Sequence, residues 1–369
     1  MHFRYSEWDH RLSSTKGAAP FDTLFDLFQQ LLTIASGDVA QAMKWLTELD
    51  KEYGITDQFD NYDLGEFVKD LEDKGYIKKD DQEQIFVPTR KIERSLRQKS
   101  LEEIFRNLEK GGHGDHKTAH SGKGLERQPE TKKWQPGDDL TQIDSVQTMM
   151  NLLHHSSIDS LELREDDLQI YDTDHNTSVA TVLLIDLSHS MILYGEDRIT
   201  PAKKVAMALS ELIMTSYAKD SLDIVAFGNE AWQVSVEDLP YLQVGPYHTN
   251  TKQALELARH ILQRRKYANK QIFMITDGKP SCMMENGRLY KNSFGLDRKI
   301  VNKVLSEAVK CRRDKINITT FMIARDPYLQ SFVREMTEAN KGRAYFASLN
   351  DLGGYIFEDY VKNRKRSVK

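Results

Sequence analysis

Two rhythms of apolar residues run along this chain. Between residues 20 and 109 the spacing is helical: Phe21, Leu24, Phe25, Phe28, Leu31 and Leu32 form one stripe, and Val39, Ala42, Met43, Leu46 and Leu49 form another. Ser36-Gly37-Asp38 separates them, and Asp38 is placed to cap the second helix. A third helix over residues 64–71 leads to two short strand-like stretches at 75–77 and 85–88 around a polar turn, and another helical pattern fills 90–109. The second half reads differently. Short, mostly apolar runs at 181–185, 222–227, 271–276 and 316–323 alternate with helical patterns opening at Thr200-Pro201, at Thr249, near Ile300 and at Asp326-Pro327. Unbroken apolar runs are the mark of strands buried on both faces, and their alternation with helices predicts an α/β fold with a mostly parallel central sheet. Residues 232–236 alternate instead, which suits an antiparallel edge strand. Gly342 is read as the stop of the helix that Asp326-Pro327 opens, with a last strand over 343–346 and a helix through Ile356 and Tyr360.

The join between the halves is polar. Residues 111–133 hold much Gly, Ser, Thr, Lys and His with almost nothing apolar, and read as a flexible linker. Its histidines, His113, His116 and His120, have helical spacing, but the glycines among them argue against a helix that would aim them at a metal. Over 134–177, Pro136-Gly137 marks a tight turn and Asp138 or Asp139 a cap for a helix running to about 153. Strands at 161–163 and 168–171 then lead through a polar turn toward residue 178, adding a strand or hairpin to the edge of the sheet. The organisation expected is a helical region at 1–110, a linker at 111–133, a helix and strand extension at 134–177 and an α/β domain at 178–369.

Oxygen-bearing side chains gather where strands end. Asp186 closes the run at 181–185, and Ser188 and Ser190 follow at alternate positions. With an extended backbone all three point one way. Asp277 closes the run at 271–276, and Thr249 stands at the opening of a helix. The C-terminal ends of parallel strands are where ligands bind in such sheets, and a set of oxygens alone suits a hard cation such as Mg²⁺.

These residues, in the order Asp-x-Ser-x-Ser, Thr, Asp, resemble the metal-ion-dependent adhesion site of von Willebrand factor A (VWA) domains. Asp186, Ser188 and Ser190 match its first motif, Thr249 its second and Asp277 its third; where that pattern has glycine before the threonine, this chain has His248. The resemblance covers about half the chain, from about residue 178 on. It implies a Rossmann-like VWA fold holding Mg²⁺ or Mn²⁺, with Ser188, Ser190 and at times Thr249 touching the ion and Asp186 and Asp277 acting largely through water. An ion held by neutral hydroxyls keeps charge and an open position for an acidic side chain of a partner. The residues at 4–9, Asp-Pro-Tyr-Leu at 326–329 and Tyr360-Val361 are similar to a group of bacterial cytosolic VWA proteins, of the CoxE-like and chelatase-associated type. That likeness implies an adaptor working with a MoxR-type AAA+ ATPase and a client protein, in remodelling or metal insertion.

Composition narrows the alternatives. A net charge of −5 with 29% charged residues points away from a nucleic-acid partner. The hairpin after residue 75 resembles a winged helix, yet Lys78 and Lys79 face Asp80, Asp81 and Glu83 in its turn, so the basic excess that phosphates require is missing. Cys282 and Cys311 stand alone, as reduced thiols of a cytoplasmic protein do. The first residues carry no apolar leader pattern and no stretch is apolar enough to span a membrane. Phosphate-binding and nucleophile-elbow motifs are missing, so a non-catalytic binding protein is expected, with a metal-dependent hydrolase using the same ion as the alternative.

Overall fold

A computed structural model of the chain describes residues 19–59, 61–80, 85–110, 131–134, 143–155, 163–171, 178–195, 197–277, 279–292, 295–323, 326–346 and 352–366. The motif at 4–9, the three linker histidines and the turn at 135–140 lie outside them. The chain forms two compact units, one from residues 1–111 with 178–362 and a smaller one from 112–177 with 363–369.

The larger unit begins with helices α1 (Pro20–Ile34), α2 (Val39–Tyr53) and α3 (Leu64–Asp73), the hairpin β1 (Ile77–Lys79) and β2 (Phe86–Pro88), and helix α4 (Arg90–Lys110). Asp38 caps α2 by accepting the Gln41 N–H at 2.9 Å, as its position predicts. The smaller unit contains β3 (Thr131–Lys133), α5 (Ser145–His155) and β4 (Gln169–Tyr171). Here the structure corrects two expectations. β4 does not extend the large sheet; it pairs antiparallel with β3, which falls at the end of the stretch read as linker. Asp144, accepting the N–H groups of Val146 and Gln147, caps α5.

The α/β half of the larger unit runs β5 (Val179–Asp186), α6 (Ile199–Ser216), β6 (Ser221–Phe227), β7 (Ala231–Val234), α7 (Thr251–Arg264), β8 (Asn269–Thr276), β9 (Cys282–Glu285), β10 (Arg288–Lys291), α8 (Arg298–Arg313), β11 (Ile316–Met322), α9 (Pro327–Asn340), β12 (Arg343–Phe346) and α10 (Leu352–Arg366). Six strands form one sheet in the order β12-β11-β8-β5-β6-β7. All neighbours are parallel except β7, which pairs antiparallel with β6 at the edge. β5 has a strand on each side and helices over both faces, so all eight of its residues are buried.

The side chains of β5 serve two cores. Val182 and Leu184 pack with Ile272 and Met274 of β8 under α7, α8 and α9. Leu183 and Ile185 face the other way, into a cluster that takes in Val205 and Leu209 of α6, Leu352 and Ile356 of α10, and also Leu24, Phe28, Leu46, Phe67 and Leu96 from the N-terminal helices. The N-terminal region therefore shares a core with the sheet. Polar bonds span the same contact: Arg97 Nε donates to Glu211 at 3.2 Å, and the buried Lys203 amine donates to Thr33 O, Ser36 Oγ and Pro240 O at 2.9, 3.1 and 3.3 Å.

The ends of α6 and α9 differ from the reading of the sequence. Helix α6 starts at Ile199, so Pro201 lies within its first turn rather than opening it, and Asp197 accepts the Thr200 N–H at 3.0 Å. Helix α9 is closed by Lys341 in the left-handed region at φ 61°. The glycine after it serves another need: a Cβ on Gly342 would lie 1.9 Å from the Ile318 carbonyl, so only glycine lets β12 come this close to β11.

Candidate metal site

The site stands at the C-terminal rim of β5 and β8, the two central strands. Asp186, the last residue of β5, is fully buried. Its Oδ1 accepts the Ser188 N–H at 2.9 Å and its Oδ2 the Thr276 hydroxyl at 2.6 Å. The first of these bonds bends the chain out of the strand, and residues His189–Gly195 continue as a 3-10 turn. The extended geometry expected through residue 190 is therefore not what unites the serines. The turn brings Ser188 Oγ and Ser190 Oγ within 3.0 Å.

Asp277 follows β8 directly and is also buried. The Ser190 hydroxyl donates to its carboxylate, and Arg198 Nη1 lies 3.6 Å from Oδ2. Its Oδ1 is buried without a hydrogen-bond partner. Thr249 stands two residues before α7; Asn250 caps that helix by accepting the Gln253 N–H at 3.1 Å. The Thr249 backbone is tied to the loop after Asp277: its N–H donates to Ser281 Oγ at 2.9 Å and its carbonyl accepts the Ser281 N–H at 3.0 Å. Ser188, Ser190 and Thr249 line one recess of about 330 Å³, together with His189, Tyr247, His248, Lys279 and Ser281. His248 causes no crowding of the backbone. Its φ is not positive, so the freedom of glycine is not needed, and its N–H donates to Asn229 Oδ1 at 2.7 Å.

The electrostatics are those of excess negative charge out of water. Burial first, then the neighbouring Asp277, push Asp186 up to about 7. Burial also raises Asp277, against the pull of Ser190 and Arg198. Two carboxylates that repel one another, one oxygen without a partner and a set of hydroxyls at the recess make an all-oxygen donor set, which fits a hard divalent cation. No cluster of three or more His, Cys, Asp or Glu with metal-binding spacing occurs among the described residues, so hydroxyl oxygens are needed to complete any shell here.

Several neighbours of the site went unread in the sequence: Arg198, Thr276, Ser281 and the hairpin β9–β10. The hairpin did leave a signal. Asn286 and Gly287, both at positive φ, form the two-residue turn between Cys-Met-Met-Glu and Arg-Leu-Tyr-Lys, the strongest short-range hairpin pattern in a sequence. Arg198 reaches Asp277 across 79 positions of chain, and no local pattern announces such a contact. Cys282 and Cys311 are buried free thiols, and burial pushes both up to about 12, so neither is a reactive group.

Residues 179–361 match the family model described as "Rv0959-like protein, vWA domain", and residues 126–173 the one described as "Rv0959-like protein, third domain". The chain is 27% identical over 330 residues to "Uncharacterized protein Rv0959" of Mycobacterium tuberculosis (strain ATCC 25618 / H37Rv), a match covering 87% of this chain and 48% of that protein. The same values relate it to "Uncharacterized protein Mb0984" of Mycobacterium bovis (strain ATCC BAA-935 / AF2122/97). The chain thus spans about half the length of the curated relatives it matches. Similar solved structures include the vWF domain of the type V pili tip protein Mfa5 from Porphyromonas gingivalis, at 13% identity over 52% of this chain and 97% of that one, with a TM-score of 0.41. The SpRpn10 VWA domain is similar at 17% identity over 47% of this chain and 93% of that one, with a TM-score of 0.36. No helix among the described residues is long and apolar enough to cross a membrane. With its six-stranded sheet and the family match over residues 179–361, the chain is a VWA-domain protein.

Proposed function

We propose that this VWA domain binds a divalent cation, Mg²⁺ or Mn²⁺, at Asp186, Ser188, Ser190, Thr249 and Asp277, and through it captures an Asp or Glu side chain of a partner protein. The observation that carries this reading is the buried Oδ1 of Asp277, unpartnered and beside a second buried carboxylate. A buried charge costs several kcal/mol unless partners of opposite polarity surround it; Arg198, at 3.6 Å from the other oxygen, the Ser190 hydroxyl and the Lys279 N–H meet part of that need and leave Oδ1 without a partner. When bound, the cation supplies positive charge and a position open to an outside carboxylate. Ser188, Ser190 and Thr249 line the recess and carry neutral oxygens, so an ion held by them keeps its charge available to the partner. Asp186 is held by Ser188 and Thr276 and so keeps its orientation whether or not an ion is present.

Within this reading the protein is an adaptor whose partner is a MoxR-type AAA+ ATPase or its client, with the N-terminal helices engaging one and the metal site the other. The resemblance of the motifs supports that choice. Calorimetric titration of the full chain with MgCl₂ or MnCl₂ should show one site, absent in Asp277→Ala; no heat with either metal ends the reading. A MoxR-type ATPase should co-elute with the chain in Mg²⁺ and separate from it in EDTA.

A further inference from the structure

Next to the metal recess the rim carries a second one, of about 430 Å³, lined by Asn229, Glu230, Trp232, Tyr247, Met284 and Leu289. Trp232, Tyr247, Met284 and Leu289 are each more than a third exposed. A single exposed apolar residue is ordinary, but four from three chain segments around one hollow form a patch of the kind that marks an interaction site.

Tyr247 belongs to both recesses and is their common wall. Its ring lies against two glycines. A Cβ on Gly228 would lie 2.7 Å from Tyr247 Cβ, and one on Gly245 would lie 2.2 Å from its Cε2, so both positions need glycine for the ring to lie where it does. The Trp232 ring meets it edge-on with centroids 6.4 Å apart. The Tyr247 carbonyl accepts the His189 N–H at 3.1 Å, which ties the wall to the turn carrying Ser188 and Ser190. Trp and Tyr are among the residue types enriched at interface hot spots.

We propose that this groove seats a large apolar side chain of the same partner segment whose acidic residue meets the cation. The recognised element is then an extended stretch with an Asp or Glu and, a few residues away, a Leu, Met, Phe or Trp. Charge fixes which end goes where: Lys279 lines the metal recess, whereas Glu230 lines the groove and repels a carboxylate from it. The inference rests on the metal-bridge reading above, and its test separates the two.

The probes are short fluorescein-labelled peptides of Gly and Ser with one Asp, with or without a Phe at varied spacing from it, titrated against the full chain in MgCl₂ and in EDTA by fluorescence anisotropy. At one preferred spacing the Phe peptide should bind about tenfold tighter than the Asp-only peptide, the scale of burying one large apolar side chain in part. Leu289→Ser and Met284→Ser should each cut that gain to about twofold or less, and leave both the melting temperature and Mg²⁺-dependent binding of the Asp-only peptide unchanged. Mg²⁺-dependent binding that gains nothing from Phe at any spacing, or a gain that survives both substitutions, overturns the groove. If no peptide binds better in Mg²⁺ than in EDTA, the metal bridge itself fails and the composite site fails with it.

Discussion

Two of the buried polar clusters in the larger unit are finished differently. At the contact between the N-terminal helices and α6, Lys203 is almost wholly buried, yet its amine has three oxygen acceptors, and Arg97 is matched by Glu211. At the rim of β5 and β8, Asp186 and Asp277 lie as deep, but one oxygen has no partner and the pair repel each other. The first arrangement is closed, and its groups hold two parts of the fold together. The second is open: two carboxylates held up by burial and by each other mark a candidate site rather than a structural contact. Burial is common to both; two like charges side by side are found only in the second of the two.

The comparison is broken most directly at the closed cluster. Arg97→Ala leaves Glu211 buried without its cation and should destabilise the chain by about 3–5 kcal/mol in urea unfolding; a loss no larger than that of a surface substitution means that the contact is not closed. At the open cluster the expected sign is reversed. Saturating the full chain with Mg²⁺ at about a hundredfold over its Kd should raise unfolding stability by about 2.7 kcal/mol, and EDTA should return it to the starting value. Asp186→Asn removes one of the two repelling charges, so in EDTA it should stabilise the chain while abolishing the Mg²⁺ response. The same substitution tests the titration. In the metal-free wild type the folded chain holds a proton on Asp186 up to about 7, while the unfolded chain releases it near the ordinary 3.8. The folded state then binds more protons, and stability falls as pH rises between those values. The part of that slope due to Asp186 should vanish in Asp186→Asn and in Mg²⁺, as thermal melts across the range will show. The smallest effect belongs to the half-exposed pair Lys204–Glu103 at the margin of the closed contact. Lys204→Ala should cost about 0.2–1 kcal/mol, which sets the scale against which Arg97 is judged.

How much of this the chain discloses in advance depends on the range of each interaction. β5 and β8 are legible because burial on both faces forces an unbroken apolar run, and their last residues, Asp186 and Asp277, then fall at the rim by topology. Asp38 and Asp326 are legible as caps because a cap is a local bond. Arg198, Thr276 and the pairing of Arg97 with Glu211 join residues far apart in the chain, and nothing in their immediate neighbours marks them. The strand at Thr131–Lys133 is short and polar, and it owes its form to the partner β4 rather than to its own residues. Ser188 and Ser190 meet through a turn and not through the period-two alternation that their spacing suggests, because the Asp186 bond to the Ser188 N–H ends the strand first.

The core shared between α1, α3, α4 and the sheet bears on any attempt to dissect the molecule. A fragment cut to begin at residue 178 would bring Lys203, Glu211, Val205 and Leu209 to the surface together, an oily face studded with two unmatched ions. Such a piece should clump or melt well below the intact chain in a light-scattering melt, so a metal titration that fails on the excised half says nothing about the whole.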